Sequence, residues 1–96
     1  MKQISATEFN ARDAGDYVLI DVREAWEREI YNIGGLHLPM DELFKKAAEL
    51  PKDKEVILYC EKGIRSVIAI QRLEAQGFTN LTNLAGGMKT WKASNL

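Results

Sequence analysis

Two short apolar runs constrain this chain more than anything else in it. They are "YVLID", Tyr17 to Asp21, and "EVILYC", Glu55 to Cys60. Both are rich in strand formers, and neither alternates apolar with polar residues, so both faces of each strand are expected to be covered. A helix-like segment follows each run. After the first comes "VREAWEREI", with Trp26 and Ile30 four apart. After the second, Ser66, Ala69, Ile70 and Leu73 stand at i, i+3, i+4 and i+7 and share one helical face. Strands alternating with helices in this way predict an α/β domain with a mainly parallel sheet. Ligands of such sheets bind outside the carboxyl ends of the strands.

The remaining segments fill in the same pattern. "KQI" reads as a short edge strand, followed by Ser5 as helix N-cap with Glu8 three residues on, and a helix to about Arg12. "LHLP" reads as a short strand. Met40, Leu43, Phe44 and Ala47 form one face of a further helix. Gly77 is placed to stop the helix that begins after Cys60, "NLTNL" is a last strand, and "GGMKTW" turns into a short terminal helix. Trp26 and Trp91 are expected to fill the core. A chain of 96 residues buries one core, so residues 1–96 are expected to form a single domain.

Charge and cysteine usage exclude several functions. The net charge of −1 gives no basic field for nucleic acid. No stretch approaches the roughly 18 to 20 apolar residues of a membrane span. The first residues lack the apolar core of a signal peptide, so a cytoplasmic setting is expected. One cysteine cannot close a disulfide within the chain, and with one histidine it cannot build a four-ligand zinc site. The thiol is therefore either a small buried residue or a reactive group.

The stretch "CEKGIRS", Cys60 to Ser66, decides which reading is pursued. It turns the chain from the central strand into a helix expected to begin near Arg65 or Ser66. Helix starts leave backbone N–H groups unpaired at the positive end of the dipole. Gly63 supplies the conformational freedom of a tight cradle. Lys62 and Arg65 add positive charge. Each feature favours a thiolate over a thiol at Cys60.

At these residues the sequence resembles a known family. Cys60-Glu61-Lys62-Gly63-Ile64-Arg65-Ser66 is similar to the C-x-x-G-x-R-S active-site loop of the rhodanese-like domains. "LIDVREAWEREI", Leu19 to Ile30, resembles the upstream D-V-R-E-x-x-E signature, and "LAGGMKTW", Leu84 to Trp91, the closing G-G-x-x-x-W signature. The three occur in order over nearly the whole chain. The resemblance implies a single rhodanese-like α/β domain with a central, mainly parallel sheet and helices on both faces. It implies sulfurtransferase chemistry, with Cys60 as the catalytic nucleophile that takes sulfur from a donor such as thiosulfate. A thiophilic acceptor, such as cyanide or a thiol, would then remove it, with no metal and no cofactor required. The loop residues Glu61, Lys62, Gly63, Ile64, Arg65 and Ser66 would bind substrate, and Asp21, Arg23 and Glu27 would support the site. The family's related phosphatases use a loop one residue longer, which argues against phosphatase activity here.

Arg65 is expected to pair with Glu27 or Asp21 and hold the loop against the end of "YVLID". Where the family often has G-H-I-P-G-A, this chain has "YNIGGL", and its one histidine, His37, is expected to be structural and not a base. Glu61 puts a negative charge beside the nucleophile and bears on donor preference. Two alternatives to the sulfurtransferase stand beside it: a sulfur relay to an accepting protein, and a partner-binding module with little catalysis. Cys60 and its intact loop favour chemistry over binding alone.

Overall fold

The computed structural model describes residues Met1–Leu96. Its centre is β4 (Glu55–Tyr59), in which Val56 to Tyr59 are fully buried. A strand with no exposed face needs a layer on each side, and the chain supplies both. β4 lies between β2 (Tyr17–Asp21) and β5 (Leu81–Leu84), with β1 (Lys2–Ile4) and β3 (Leu36–His37) at the edges. All pairs are parallel, in the order β1-β5-β4-β2-β3. "KQI" and "LHLP" are the two edge strands.

Side-chain alternation sorts the core into two layers. Ile20, Val56, Leu58 and Leu81 face α3 (Met40–Lys45) and α4 (Ile64–Ala75), meeting Leu43, Ala69, Ile70 and Leu73. Leu19, Ile57, Tyr59 and Leu84 face α1 (Ala6–Asn10) and α5 (Gly87–Ala93), meeting Phe9, Met88 and Trp91. Each fully buried Leu or Ile contributes about 1.5–3 kcal/mol. The predicted capping box is present: Ser5 Oγ accepts from Glu8 N at 3.1 Å, and Ser5 N donates to Glu8 Oε1 at 3.1 Å.

Three expectations need adjusting. The first helix ends at Asn10, short of Arg12. α4 begins at Ile64, earlier than read, so Ile64 and Arg65 lie in its first turn. α2 (Ala25–Ile30) is oriented opposite to its apolar spacing: Trp26 is 63% exposed and Ile30 74%, while Glu27 is buried. Trp91 packs edge-on to Phe9, with ring centroids 5.8 Å apart, so only the second tryptophan fills the core. No helix is long and apolar enough to cross a membrane.

The register brings the site together. Asp21 pairs with Tyr59, and the next residues, Val22 and Cys60, leave the sheet at its carboxyl edge. α2, the loop after β4, and the start of α5 meet there.

Candidate active site

Cys60 follows the last residue of β4 and points into the α4 side of the sheet. Gly63 takes φ +85°, a left-handed conformation open to glycine, and turns the chain into α4. That turn aims two backbone amides at the sulfur. Gly63 N donates to Cys60 Sγ at 3.1 Å and Ser66 N at 3.4 Å. The Ser66 hydroxyl lies 3.3 Å from the same sulfur. Cys60 is fully buried, yet it forms the floor of an open cleft of about 380 Å³. Glu27, Glu61, Lys62, Ile64 and Arg65 form the walls.

The loop is seated from below by α5. Met88 N donates to the Cys60 carbonyl and Lys89 N to the Glu61 carbonyl, both at 2.9 Å. The unpaired amides of that helix start thereby fix the loop carbonyls on one side. With its carbonyls turned to α5, the loop turns amides toward Sγ. The sequence marks the closing "GG" as a turn and as part of a family signature, but does not reveal its contact with the loop.

Arg65 and Glu27 form a bidentate pair, at 2.7 and 2.6 Å. Of the two carboxylates expected for Arg65, Glu27 is the partner and Asp21 is not. Glu27 also accepts from Glu24 N at 3.0 Å, closing the capping box of α2. One carboxylate thus starts a helix and holds the loop arginine. The bonds to Arg65 keep the Glu27 carboxyl below its ordinary value of 4.5, against the opposing effect of burial. The same bonds raise the Arg65 guanidinium. A depressed folded pKa gives stability that is present above the unfolded pKa and lost as the pH falls through the folded one. Glu27→Gln is therefore expected to cost about 1–2 kcal/mol at neutral pH, a buried pair's value discounted because Arg65 is partly exposed. Urea melts from pH 7 to below pH 4 should show the gap between wild type and variant closing toward the acid end.

Asp21 instead holds Arg23. Arg23 Nε donates to Asp21 Oδ1 and Nη2 to Oδ2, each at 3.0 Å, and both side chains are buried. Arg23 also donates to the Tyr31 carbonyl at 2.6 Å and to Glu61 Oε1 at 3.2 Å. Lys92 stands 3.7 Å from Glu61 Oε2. The Glu61 charge is thus drawn toward two cations and offset there, where the sequence left its direction open. Lys62 is exposed at the rim and takes part in none of the ion pairs. His37 Nε2 lies 2.7 Å from the Arg23 carbonyl oxygen and does not line the cleft, the structural place expected of it.

Sequence reasoning missed several members of this region. Arg28 reaches Asp21 at 3.3 Å and the Gly35 carbonyl at 2.9 Å, tying the "IGG" turn to the end of β2. Burial, and then the Asp21 charge, push the Tyr59 phenol up to about 12, and it donates to the Gly34 carbonyl at 2.9 Å. Asn83, buried on β5, accepts a short hydrogen bond from the Ser66 hydroxyl. Its signal in the sequence was an amide in the same alternating row as Leu81, a row that faces the core. No cluster of histidine, cysteine or carboxylate side chains forms a metal site.

Residues 5–94 match the family model described as Rhodanese-like domain. The chain is 39% identical over 94 residues to a thiosulfate sulfurtransferase GlpE of Coxiella burnetii, covering 96% of this chain and 88% of that protein. It is 36% identical over 92 residues to a putative sulfur carrier protein YrkF of Bacillus subtilis, covering 93% of this chain and 50% of that protein. A rhodanese-related protein of Thermoplasma volcanium superposes with a TM-score of 0.86 at 27% identity, covering 98% of this chain and 93% of that one.

Proposed function

The chain belongs to the rhodanese-like domain family, and from that membership we propose that it moves sulfane sulfur from a small donor to a thiophilic acceptor through a Cys60 persulfide. The observation that carries this reading is the sulfur held at 3.1 and 3.4 Å from two loop amides on the floor of an open cleft. The Cys60 thiolate attacks the outer sulfur of thiosulfate. The bond between that sulfur and the sulfonate sulfur breaks, and its electron pair leaves with sulfite. The Cys60 persulfide anion then carries its charge on the outer sulfur, about 2 Å further into the cleft. Amides at the start of α4 are the donors nearest to it. Cyanide or a thiolate attacks the outer sulfur in the second half-reaction and restores the Cys60 thiolate. Covalent transfer in two steps predicts ping-pong kinetics.

Each predicted loop residue has a part in this proposal. Gly63 and Ser66 hold the sulfur, and Lys62 attracts the dianion from the rim. Ile64 and Glu61 wall the cleft. Arg65, fixed by Glu27, positions the loop, while Asp21 and Arg23 steer the Glu61 charge aside. The test is intact mass. Thiosulfate alone should add one sulfur atom to the protein, and cyanide should remove it as thiocyanate. A protein that gains no sulfur from thiosulfate would exclude it as donor.

A second reading concerns the acceptor. Trp26 and Ile30 are exposed beside the cleft, lining a smaller hollow of about 210 Å³ that shares Glu27 and Glu61 with it. Ile64, 64% exposed, stands on the cleft wall. An apolar rim around a buried sulfur suits an acceptor thiol carried on a peptide segment, and the likeness to a putative sulfur carrier protein supports it. Among cysteine peptides of equal length, one with leucine beside the cysteine should take the sulfur about tenfold faster than one with glycine, the effect of burying one apolar side chain. Trp26→Ala combined with Ile30→Ala should erase that preference. Equal rates for both peptides on the wild type would remove the protein-acceptor reading.

A further inference from the structure

A line of buried polar groups runs from Cys60 to the protein surface. Ser66 Oγ lies 3.3 Å from Cys60 Sγ and donates to Asn83 Oδ1. Asn83 Nδ2 donates to Gln3 Oε1 at 2.8 Å. Cys60 and Ser66 are fully buried and Asn83 is 2% exposed, whereas Gln3, its register partner on the edge strand, is open to solvent. An amide in a row of core side chains lowers stability unless its polar atoms are bonded, and Asn83 Oδ1 and Nδ2 each have a partner.

The direction of these bonds fits one charge state of the sulfur. Ser66 has a single hydroxyl proton. With that proton given to Asn83, the hydroxyl can only accept from Cys60, an arrangement that suits a sulfur without negative charge. A thiolate accepts only, and it calls for the Ser66 proton. Asn83 must then offer its NH2 group to Ser66 in place of its oxygen. The two ends of an amide have nearly the same shape, so turning it over needs no extra room. Gln3, at the surface, can follow.

We propose that Ser66, Asn83 and Gln3 form a relay whose hydrogen-bond direction reverses when Cys60 ionises, with Asn83 as the positioning residue. In the thiol state the bonds run from Cys60 outward to Gln3. In the thiolate state they run inward, each donor strengthening the next, and end on the charged sulfur. No proton passes along the line: the thiol proton leaves through the cleft, and one hydroxyl and two amides rotate. Once the persulfide forms, the charge moves to the outer sulfur and Ser66 returns to Asn83. The relay thus stabilises the attacking thiolate and relaxes when sulfur has been accepted.

The charged groups facing Cys60 are Arg65 from α4, Lys62 and Glu61 from the loop and Glu27 from α2, with Arg23 and Asp21 at the end of β2 and Lys92 on α5 behind Glu61. None of them bonds to Ser66 or Asn83, so they set a background that the relay variants leave in place.

The inference rests on Cys60 being the reacting thiol of the proposed function, but its test reads ionisation and not sulfur transfer, so the two fail separately. Iodoacetamide labelling against pH gives the midpoint of Cys60 ionisation. In the labelled wild-type protein, the side-chain NH2 protons of Asn83 should show nuclear Overhauser contacts to Gln3 below that midpoint and to the Ser66 β-protons above it. Asn83→Ala should move the labelling midpoint up by about half a pH unit, the loss of one cooperative donor. The same substitution on a Ser66→Ala background should move it no further. Both results are required. Contacts to Gln3 at every pH, or a shift that survives without the Ser66 hydroxyl, overturn the relay. If Asn83→Ala does not fold, the contacts in the wild type decide the matter alone.

Discussion

Cys60→Ser is expected to form no thiocyanate from thiosulfate and cyanide above background, a fall of at least about 1000-fold. The reason is chemical and not steric. Serine keeps the shape of the side chain, and its oxygen can accept from the same Gly63 and Ser66 amides. An alcohol is not ionised at neutral pH and does not store sulfur as a persulfide. The chain has no second cysteine to take over the role. The variant should melt within a few degrees of wild type and gain no mass from thiosulfate, which separates lost chemistry from lost folding. Turnover that survived in Cys60→Ser would mean that sulfur passes from donor to acceptor without a covalent intermediate. The loop would then be a binding site only.

The layers of this fold were legible because β2 and β4 carry apolar residues on consecutive positions, a pattern that only a sheet covered on both faces accommodates. The loop that carries the proposed nucleophile was legible because the chain must turn from β4 into α4 around Cys60. What the sequence hid is direction. Trp26 and Ile30 share a helical face, but spacing alone does not say whether that face looks inward. In α2 it looks out, because the adjoining face carries Glu27, which Arg65 and the Glu24 amide hold at the sheet edge. Glu61 was misleading for a similar reason. Its place beside Cys60 in sequence suggested a charge opposing an anion, whereas Arg23 and Lys92, 38 and 31 positions away in sequence numbering, draw it aside. Asn83 was overlooked because a lone amide in a short strand reads as an ordinary exposed residue. Only its alternation with Leu81 places it under α4.

Gly87→Ala is expected to slow persulfide formation about 100-fold, although residue 87 carries no group that touches substrate. The backbone at Gly87 has φ +58°, where a side chain costs about 1–2 kcal/mol. The larger effect is local. A Cβ there would collide with the Cys60 carbonyl oxygen and meet the Glu61 carbonyl carbon and oxygen at 2.8 Å. All three atoms are backbone, so no side chain can rotate away. The loop must lift off α5 and stretch the bonds from Met88 N and Lys89 N that fix its carbonyls. Lifting the carbonyls turns the Gly63 and Ser66 amides off the sulfur, and a displacement of about 1 Å at a nucleophile is enough for a loss of that size. Gly86→Ala is the matched control. Its φ of +75° carries the same kind of strain, but the atoms its Cβ would crowd belong to Thr90, one turn on in α5, and not to the loop; Thr90 Cβ, at 2.6 Å, cannot rotate away, so α5 itself must give. Both variants should lose comparable stability in urea, while single-turnover sulfur uptake should fall steeply only in Gly87→Ala. If the two lose uptake equally, in step with their stability, then α5 supports the domain as a whole and does not seat the loop.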